Sequence, residues 1–266
     1  SGSDRESDVE EITEATFDAA RKEGDQIGEY SKRQNRIFQH IQIMDKNVAL
    51  PARTGNDELK MTLFIEPDDF LLHTFICNEN FGYLSNPASK DPEFEFFISE
   101  IRQPVLVYMR DYWQEFMEFL KENDEYFEPV IYTSGLKPYT DRILNILDPE
   151  REVFKYHLHQ NACYIFEVKE ENILFLIKDI SRFGNRNIKR SILLDSKAQN
   201  YMMTPENCIP VGEYTAESVD PKQLEGYSGN VDPTKDTFLL ELIDELDQYK
   251  DLEDIRPVIH KKYNIR

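Results

Sequence analysis

Residues 61–75, MTLFIEPDDFLLHTF, constrain this chain more than any other stretch. An apolar run, Met61 to Ile65, stops at once in three carboxylates, Glu66, Asp68 and Asp69. A short continuous apolar run bounded by polar residues reads as a strand buried on both faces. Acids at the carboxyl end of such a strand sit where a parallel α/β sheet collects its chemistry. Other segments repeat the pattern. Val105–Tyr108 is a short strand, followed by a helix over 111–123 with Trp113, Phe116, Met117 and Leu120 on one face. Pro129–Tyr132 is a third strand ending in Thr133, Ser134 and Gly135, and a helix over 138–147 stops at Asp148–Pro149. Strand-like pieces follow at 163–168 and 173–177. Ile192–Leu194 ends at Asp195, Cys208–Val211 is one more short strand, and a helix over 237–250 closes the chain. Strands alternating with helices predict an α/β, Rossmann-like three-layer fold: a mainly parallel sheet with helices on both faces. Residues 75–103, aromatic and polar by turns with Pro87 and Pro92, predict a β-hairpin or a longer insertion.

Residues 1–56 have a different character. Acids crowd positions 4–25, while Val9, Ile12, Phe17, Ile27, Tyr30, Phe38, Ile41 and Met44 recur at roughly helical spacing. One or two thin amphipathic helices from about 8 to 45, then a linker from Pro51 to Asn56, make this either a partly ordered tail or an arm that docks on a partner. The chain thus divides into a helical arm and linker, 1–56, and an α/β domain, 57–266.

The charge balance narrows the partners. With 51 acidic and 31 basic residues the formal charge is −20. Such a surface repels nucleic acid and anionic lipid and attracts basic peptides or proteins. Cys77, Cys163 and Cys208 show neither metal-ligand spacing nor a disulfide framework. No run approaches the ~20 apolar residues of a membrane span, and no secretory signal is visible.

The polar strand ends form a set. Glu66 with Asp68, Thr133 with Ser134, Lys178 with Asp179, and Asp195 with Ser196 would lie along one sheet edge. A carboxylate nucleophile, an acid two residues on, a hydroxyl, a lysine and a distal aspartate suit phosphoryl transfer through an acyl phosphate. Magnesium would take oxygens from Glu66, Asp68 and Asp195. Plainer roles compete: Lys178 and Asp179 as a salt-bridged pair, His73 as a packed and hydrogen-bonded ring, Trp113 and Phe116 as core.

LFIEPDDFLLHT (63–74), VIYTSGLKPYTDRILNILDP (130–149), IKDISRFGNRNIKRSILLDSKAQNY (177–201), PENCIPV (205–211) and DIRPVI (254–259) resemble the haloacid-dehalogenase superfamily. Within it they resemble the NLI-interacting-factor-like domain, which includes small phosphatases of the RNA polymerase II tail and the Tim receptor of the mitochondrial inner-membrane presequence translocase. The DDFLLHT, LDP, DSKAQNY and PENCIPV pieces look closer to the receptor branch. The resemblance implies a haloacid-dehalogenase-like fold with Glu66, Asp68, Thr133 and Lys178 at the catalytic positions. The family motif Asp-x-Asp-x-Thr reads here Glu66-Pro67-Asp68-Asp69-Phe70. Glu66 is one methylene longer than the family's Asp, and ~1 Å of misplacement costs about a hundredfold in a pre-oriented site. Pro67 lacks a backbone N–H, Phe70 replaces a hydroxyl, Gln160 stands where the family has an Arg, and Ser196 stands for an Asn.

These departures imply a non-catalytic, phosphatase-like protein-binding component. It would belong to a mitochondrial inner-membrane assembly, bind other protein subunits or basic presequence peptides in a hetero-oligomer, and carry no cofactor beyond magnesium. Two alternatives stand beside it. One is an accessory subunit of a respiratory complex or ATP synthase. The other is a magnesium-dependent protein serine/threonine phosphatase, which would place the chain in the nucleus or cytoplasm.

Overall fold

The computed structural model describes residues 41–76, 90–99, 102–168, 173–216 and 235–263. The apolar run becomes β2 (Met61–Ile65), and every residue of it is buried. It lies at the centre of a five-stranded sheet with β6 (Phe127–Tyr132) and β7 (Tyr156–Leu158) on one side, and β10 (Ser191–Asp195) and β11 (Cys208–Pro210) on the other. All four pairings are parallel. The expected α/β architecture with its parallel sheet is therefore present. β2 apart from Thr62, and the interior of β10 at Ile192–Leu194, are apolar because a parallel sheet is covered on both faces.

Alternation along β2 divides the core. Met61, Leu63 and Ile65 face a layer holding α1 (Trp113–Glu122), α2 (Lys137–Leu147) and α3 (Phe238–Tyr249), through Phe116, Leu120, Ile143, Leu144, Leu242 and Leu246. Ile259 of the last helix, α4 (Arg256–Tyr263), joins that layer. Phe64 faces the other way, stacked 5.6 Å from Phe183 and edge-on to Tyr132. Leu50, Cys163, Ile180 and Tyr201 cover this second face, from coil and short 3-10 turns. α2 ends where the sequence predicts. The Asp148 carboxylate fixes the loop after it by accepting from the backbone N–H groups of Glu152, Val153 and Phe154, and Arg151 donates to the terminal carbonyls of Leu144 and Asp148.

Two smaller sheets depart from the expected layout. Val105–Tyr108 is not a strand of the parallel sheet. It belongs to β5 (Gln103–Met109), the middle of an antiparallel sheet with β3 (Leu72–Ile76) and β4 (Phe94–Ile98). β3 leaves the acidic turn directly and pairs with β5, so the insertion begins earlier than position 75. β8 (Tyr164–Val168) and β9 (Ile173–Ile177) form an antiparallel pair, and β1 (Ile41–Ile43) adds to the edge of β8. The helix expected to run to about 45 is thus a strand at Ile41–Ile43, because pairing with β8 outweighs a weak local propensity. The rest of the predicted arm lies outside the described residues. No helix of the described residues is long and apolar enough to cross a membrane.

Candidate active site at the carboxyl edge of the parallel sheet

β2, β6 and β10 end at the same edge of the parallel sheet, and β9 ends beside them. The parallel ladder runs one residue past β2, where the Glu66 N–H donates to Leu194 O at 3.1 Å. The chain then turns sharply. Pro67 O accepts from Leu71 N at 2.9 Å, and Asp69 takes a left-handed φ of 56°, a conformation Asp tolerates better than most residues. The turn sends Phe70 inward, fully buried and edge-on to Phe116 at 5.7 Å. The bulky ring therefore packs in the core and does not fill the site.

The predicted residues converge. Glu66 is 3% exposed. Its Oε1 accepts from Thr133 Oγ1 at 2.8 Å and from the Asp68 N–H at 3.3 Å. Its Oε2 accepts from the Ser134 N–H at 2.9 Å, Ser134 Oγ at 3.4 Å and Lys178 Nζ at 2.8 Å. The loop after β6 can approach this closely because Gly135 has no side chain. A Cβ there would stand 3.2 Å from both Thr133 Oγ1 and the Tyr139 ring.

Lys178 also donates to Asp195 Oδ2 at 2.5 Å. The sequence allowed Lys178 to pair with its neighbour Asp179. It bridges Glu66 and Asp195 instead, while the Asp179 carboxylate accepts from Ser181 N and Oγ. Burial alone would lower the Lys178 pKa, but Asp195 and Glu66 outweigh it and hold the ammonium above its ordinary range. Two carboxylates against one ammonium leave this buried set with one unbalanced negative charge.

Asp68 behaves differently. It is partly exposed by surface area yet ringed by protein, and its carboxyl is pushed up to about 8. Burial is the largest cause and the Glu66 charge the next. A hydrogen bond from Tyr139 opposes both. These surroundings favour the protonated form of Asp68, two residues from Glu66.

Sequence reasoning missed three contributors. Asn200 accepts from the Lys178 N–H and donates through Nδ2 to Asp195 Oδ2 at 2.8 Å. The Tyr201 hydroxyl donates to the Asp195 carbonyl. Tyr139 donates to Asp68 Oδ1 at 2.5 Å. Asn200 and Tyr201 lie within the DSKAQNY segment, five and six residues after Asp195, the only signal that could have flagged them. His73 is hydrogen-bonded as expected, Nδ1 to Asp69 Oδ1 at 2.7 Å. Gln160 opens a 3-10 turn, its N–H donating to Gly135 O.

The site offers a magnesium ion oxygen donors rather than a cage. Among the described residues no three His, Cys, Asp or Glu side chains cluster to hold an ion. Magnesium commonly uses one or two carboxylates and completes its shell with water and phosphate oxygens. Glu66 and Asp195, with their unbalanced negative charge, fit that use. The Ser196 hydroxyl, buried beside Asp195 without a hydrogen-bond partner, marks a polar position there that a ligand could satisfy. Asp68, the third oxygen donor that the sequence suggests, lies on the same turn as Glu66 and is hydrogen-bonded to Tyr139.

The sequence pattern described as NLI interacting factor-like phosphatase matches residues 61–256. The chain is 28% identical over 202 residues to CTD small phosphatase-like protein 1 of Caenorhabditis elegans, covering 76% of this chain and 37% of that protein. It is 28% identical over 175 residues to the mouse carboxy-terminal domain RNA polymerase II polypeptide A small phosphatase 2, covering 66% of this chain and 58% of that one. It thus spans from about a third to just over half of such relatives' length. A solved structure of Fcp1, titled as an essential RNA polymerase II CTD phosphatase, aligns with 83% of this chain and 65% of its own, at a TM-score of 0.47 and 15% identity. These matches overturn the expectation that the altered motif marks a domain that is not an enzyme: both the family and these relatives are named as phosphatases. The presequence-receptor role and the mitochondrial inner membrane find no support in them. From Met61 to Arg256 the chain belongs to the NLI interacting factor-like phosphatase family.

Proposed function

We propose that this chain is a magnesium-dependent phosphatase acting on phosphoserine or phosphothreonine in proteins. The observation that carries the reading is the pairing of Asp68, a carboxyl raised to about 8, with Glu66, a carboxylate held by backbone, hydroxyl and lysine donors. Two nearby carboxyl groups set to opposite tasks by their surroundings are the mark of an acid and a nucleophile.

In the first step a Glu66 oxygen attacks phosphorus and the ester P–O bond breaks. Its electron pair leaves with the substrate oxygen, which takes the proton of Asp68. In the second step water attacks the acyl phosphate, Asp68 takes the water's proton, and inorganic phosphate leaves. Glu66 reaches its donors with the extra methylene folded into the buried edge. The Ser134 N–H and Lys178 Nζ, now bound to Oε2, are the donors best placed to pass to phosphoryl oxygens as negative charge builds. Magnesium, held by Glu66 and Asp195 with water, would supply charge neutralisation at the phosphoryl group.

The relatives named for the RNA polymerase II carboxy-terminal domain support a protein substrate and a nuclear or cytoplasmic setting. The charge of −20 adds electrostatic attraction toward basic segments of substrates or partner subunits. The test is phosphate release from phosphoserine peptides and from p-nitrophenyl phosphate, with and without magnesium. Release that needs magnesium and is abolished in Asp68→Asn supports the reading. No release from either substrate with magnesium present overturns it.

A further inference from the structure

The acidic turn does not hold Asp68 by itself; a helix and the inserted sheet do. Tyr139, in the first turn of α2, donates its hydroxyl to Asp68 Oδ1 at 2.5 Å. The same hydroxyl lies 2.9 Å from Thr74 Oγ1 on β3. That second bond joins two hydroxyls, either of which can be the donor. The ring is fixed as well: it packs against Gly135, where a Cβ would stand 3.2 Å from it, and lies 6.2 Å from the Phe96 ring of β4. Among the described residues, no hydrogen bond reaches Asp68 Oδ2.

We infer that Tyr139, backed by Thr74, is a positioning residue that pins Asp68 Oδ1 and leaves Oδ2 as the atom that carries the proton to the leaving group. The inference rests on the phosphatase reading. It ties the inserted sheet to the chemistry through two hydrogen bonds, and so gives Thr74 and α2 roles that their sequence positions do not suggest. The charged and titratable groups facing Asp68 are Glu66 and Asp69 on its own segment, Tyr139 from α2 and Lys178 after β9. Of these, Glu66 and Asp69 push its pKa up, while Tyr139 and Lys178 draw it down.

The experiment uses the whole chain as wild type, Tyr139→Phe and Thr74→Val. On each protein kcat is compared on a phosphoserine peptide, whose alkoxide must be protonated, and on p-nitrophenyl phosphate, whose phenolate leaves without help. Tyr139→Phe is expected to slow the peptide roughly tenfold or more and the aryl ester much less, with KM little changed, and Thr74→Val to do the same more weakly. Equal slowing on both substrates, or slowing on neither, overturns the inference, and Thr74→Val decides the matter if Tyr139→Phe does not fold. If the wild type hydrolyses neither substrate, the phosphatase reading fails and the inference with it.

Discussion

The parallel sheet buries a cluster of charges at each end, and the two clusters are built in opposite ways. At the amino edge Glu128, at the start of β6, accepts from Arg186 Nε at 2.6 Å and Nη2 at 3.1 Å, and from Thr62 Oγ1 across the strand pair. Arg53 stands 3.6 Å away and donates to Lys60 O. Arg186 also reaches Pro51 O. Two guanidiniums and one carboxylate thus sew the 51–53 segment and the turn before β10 to the sheet. At the carboxyl edge one ammonium serves two carboxylates, and a third carboxyl, Asp68, stands protonated beside them. Guanidiniums hold their protons at any pH a protein meets, so the amino edge can only fasten. The carboxyl edge has a group that gives up its proton near neutrality, which makes it competent for chemistry. Under the proposed function, burying charge serves stability at one end and reactivity at the other, and substitutions should separate the two.

The largest effect is expected from Lys178→Met. Lys178 is 1% exposed and shared by Glu66 and Asp195, so its removal leaves two buried carboxylates facing each other. Urea unfolding should show a loss of about 3–5 kcal/mol, and phosphate release should vanish. A variant that stays as stable as wild type would mean that this cluster is not coupled as the distances indicate. Next comes Asp68→Asn, which removes the proton donor but keeps the shape. Hydrolysis of a phosphoserine peptide should fall by roughly 10²–10⁴ with no loss of stability. Glu128→Gln should do the reverse at the other edge. Removing a charge that Arg186 pairs with should cost about 1–3 kcal/mol and leave kcat within about twofold, since the amino edge plays no part in the reaction. A large drop in kcat with Glu128→Gln would erase the contrast between the two edges.

How far the sequence exposed these two edges depends on the range of the interactions. β2 was visible because four of its five residues are apolar, a run that reads as buried, and Glu66 because it follows them at once. Thr133, Lys178 and Asp195 were visible for the same reason, each at the end of an apolar run. α1, α2 and α3 fall within a few residues of their predicted spans, since amphipathic spacing is a local property. The partners of these groups were not legible. Nothing near position 178 says that Lys178 will bridge Glu66 and Asp195 rather than pair with Asp179. Nor does anything near 139 say that a tyrosine on α2 will meet Asp68. The Arg186–Glu128 contact spans 58 positions and left no local trace either. The inserted sheet was misread because β5 is apolar enough to pass for a parallel strand; only its register with β3 and β4 shows otherwise. The motif changes at Glu66 and Phe70 looked disabling on paper. In the structure Phe70 turns into the core and Glu66 still meets the Thr133, Ser134 and Lys178 donors.

The last expected effect is a pH slope, and it bears on Asp68 directly. In the folded chain its carboxyl is raised to about 8 from an ordinary 3.8. Between those values the native state keeps a proton that the unfolded chain has released. The contribution of Asp68 to stability is therefore full below the ordinary value and is lost as pH climbs toward 8. Urea midpoints of wild type and Asp68→Asn, measured from pH 5 to pH 8, should draw apart, the wild type losing ground as pH rises. Titrating groups away from Asp68 are common to the two proteins and cancel in the difference. Parallel wild-type and Asp68→Asn curves would place Asp68 ionised in the native state, and with it would go the proton donor on which the proposed reaction depends.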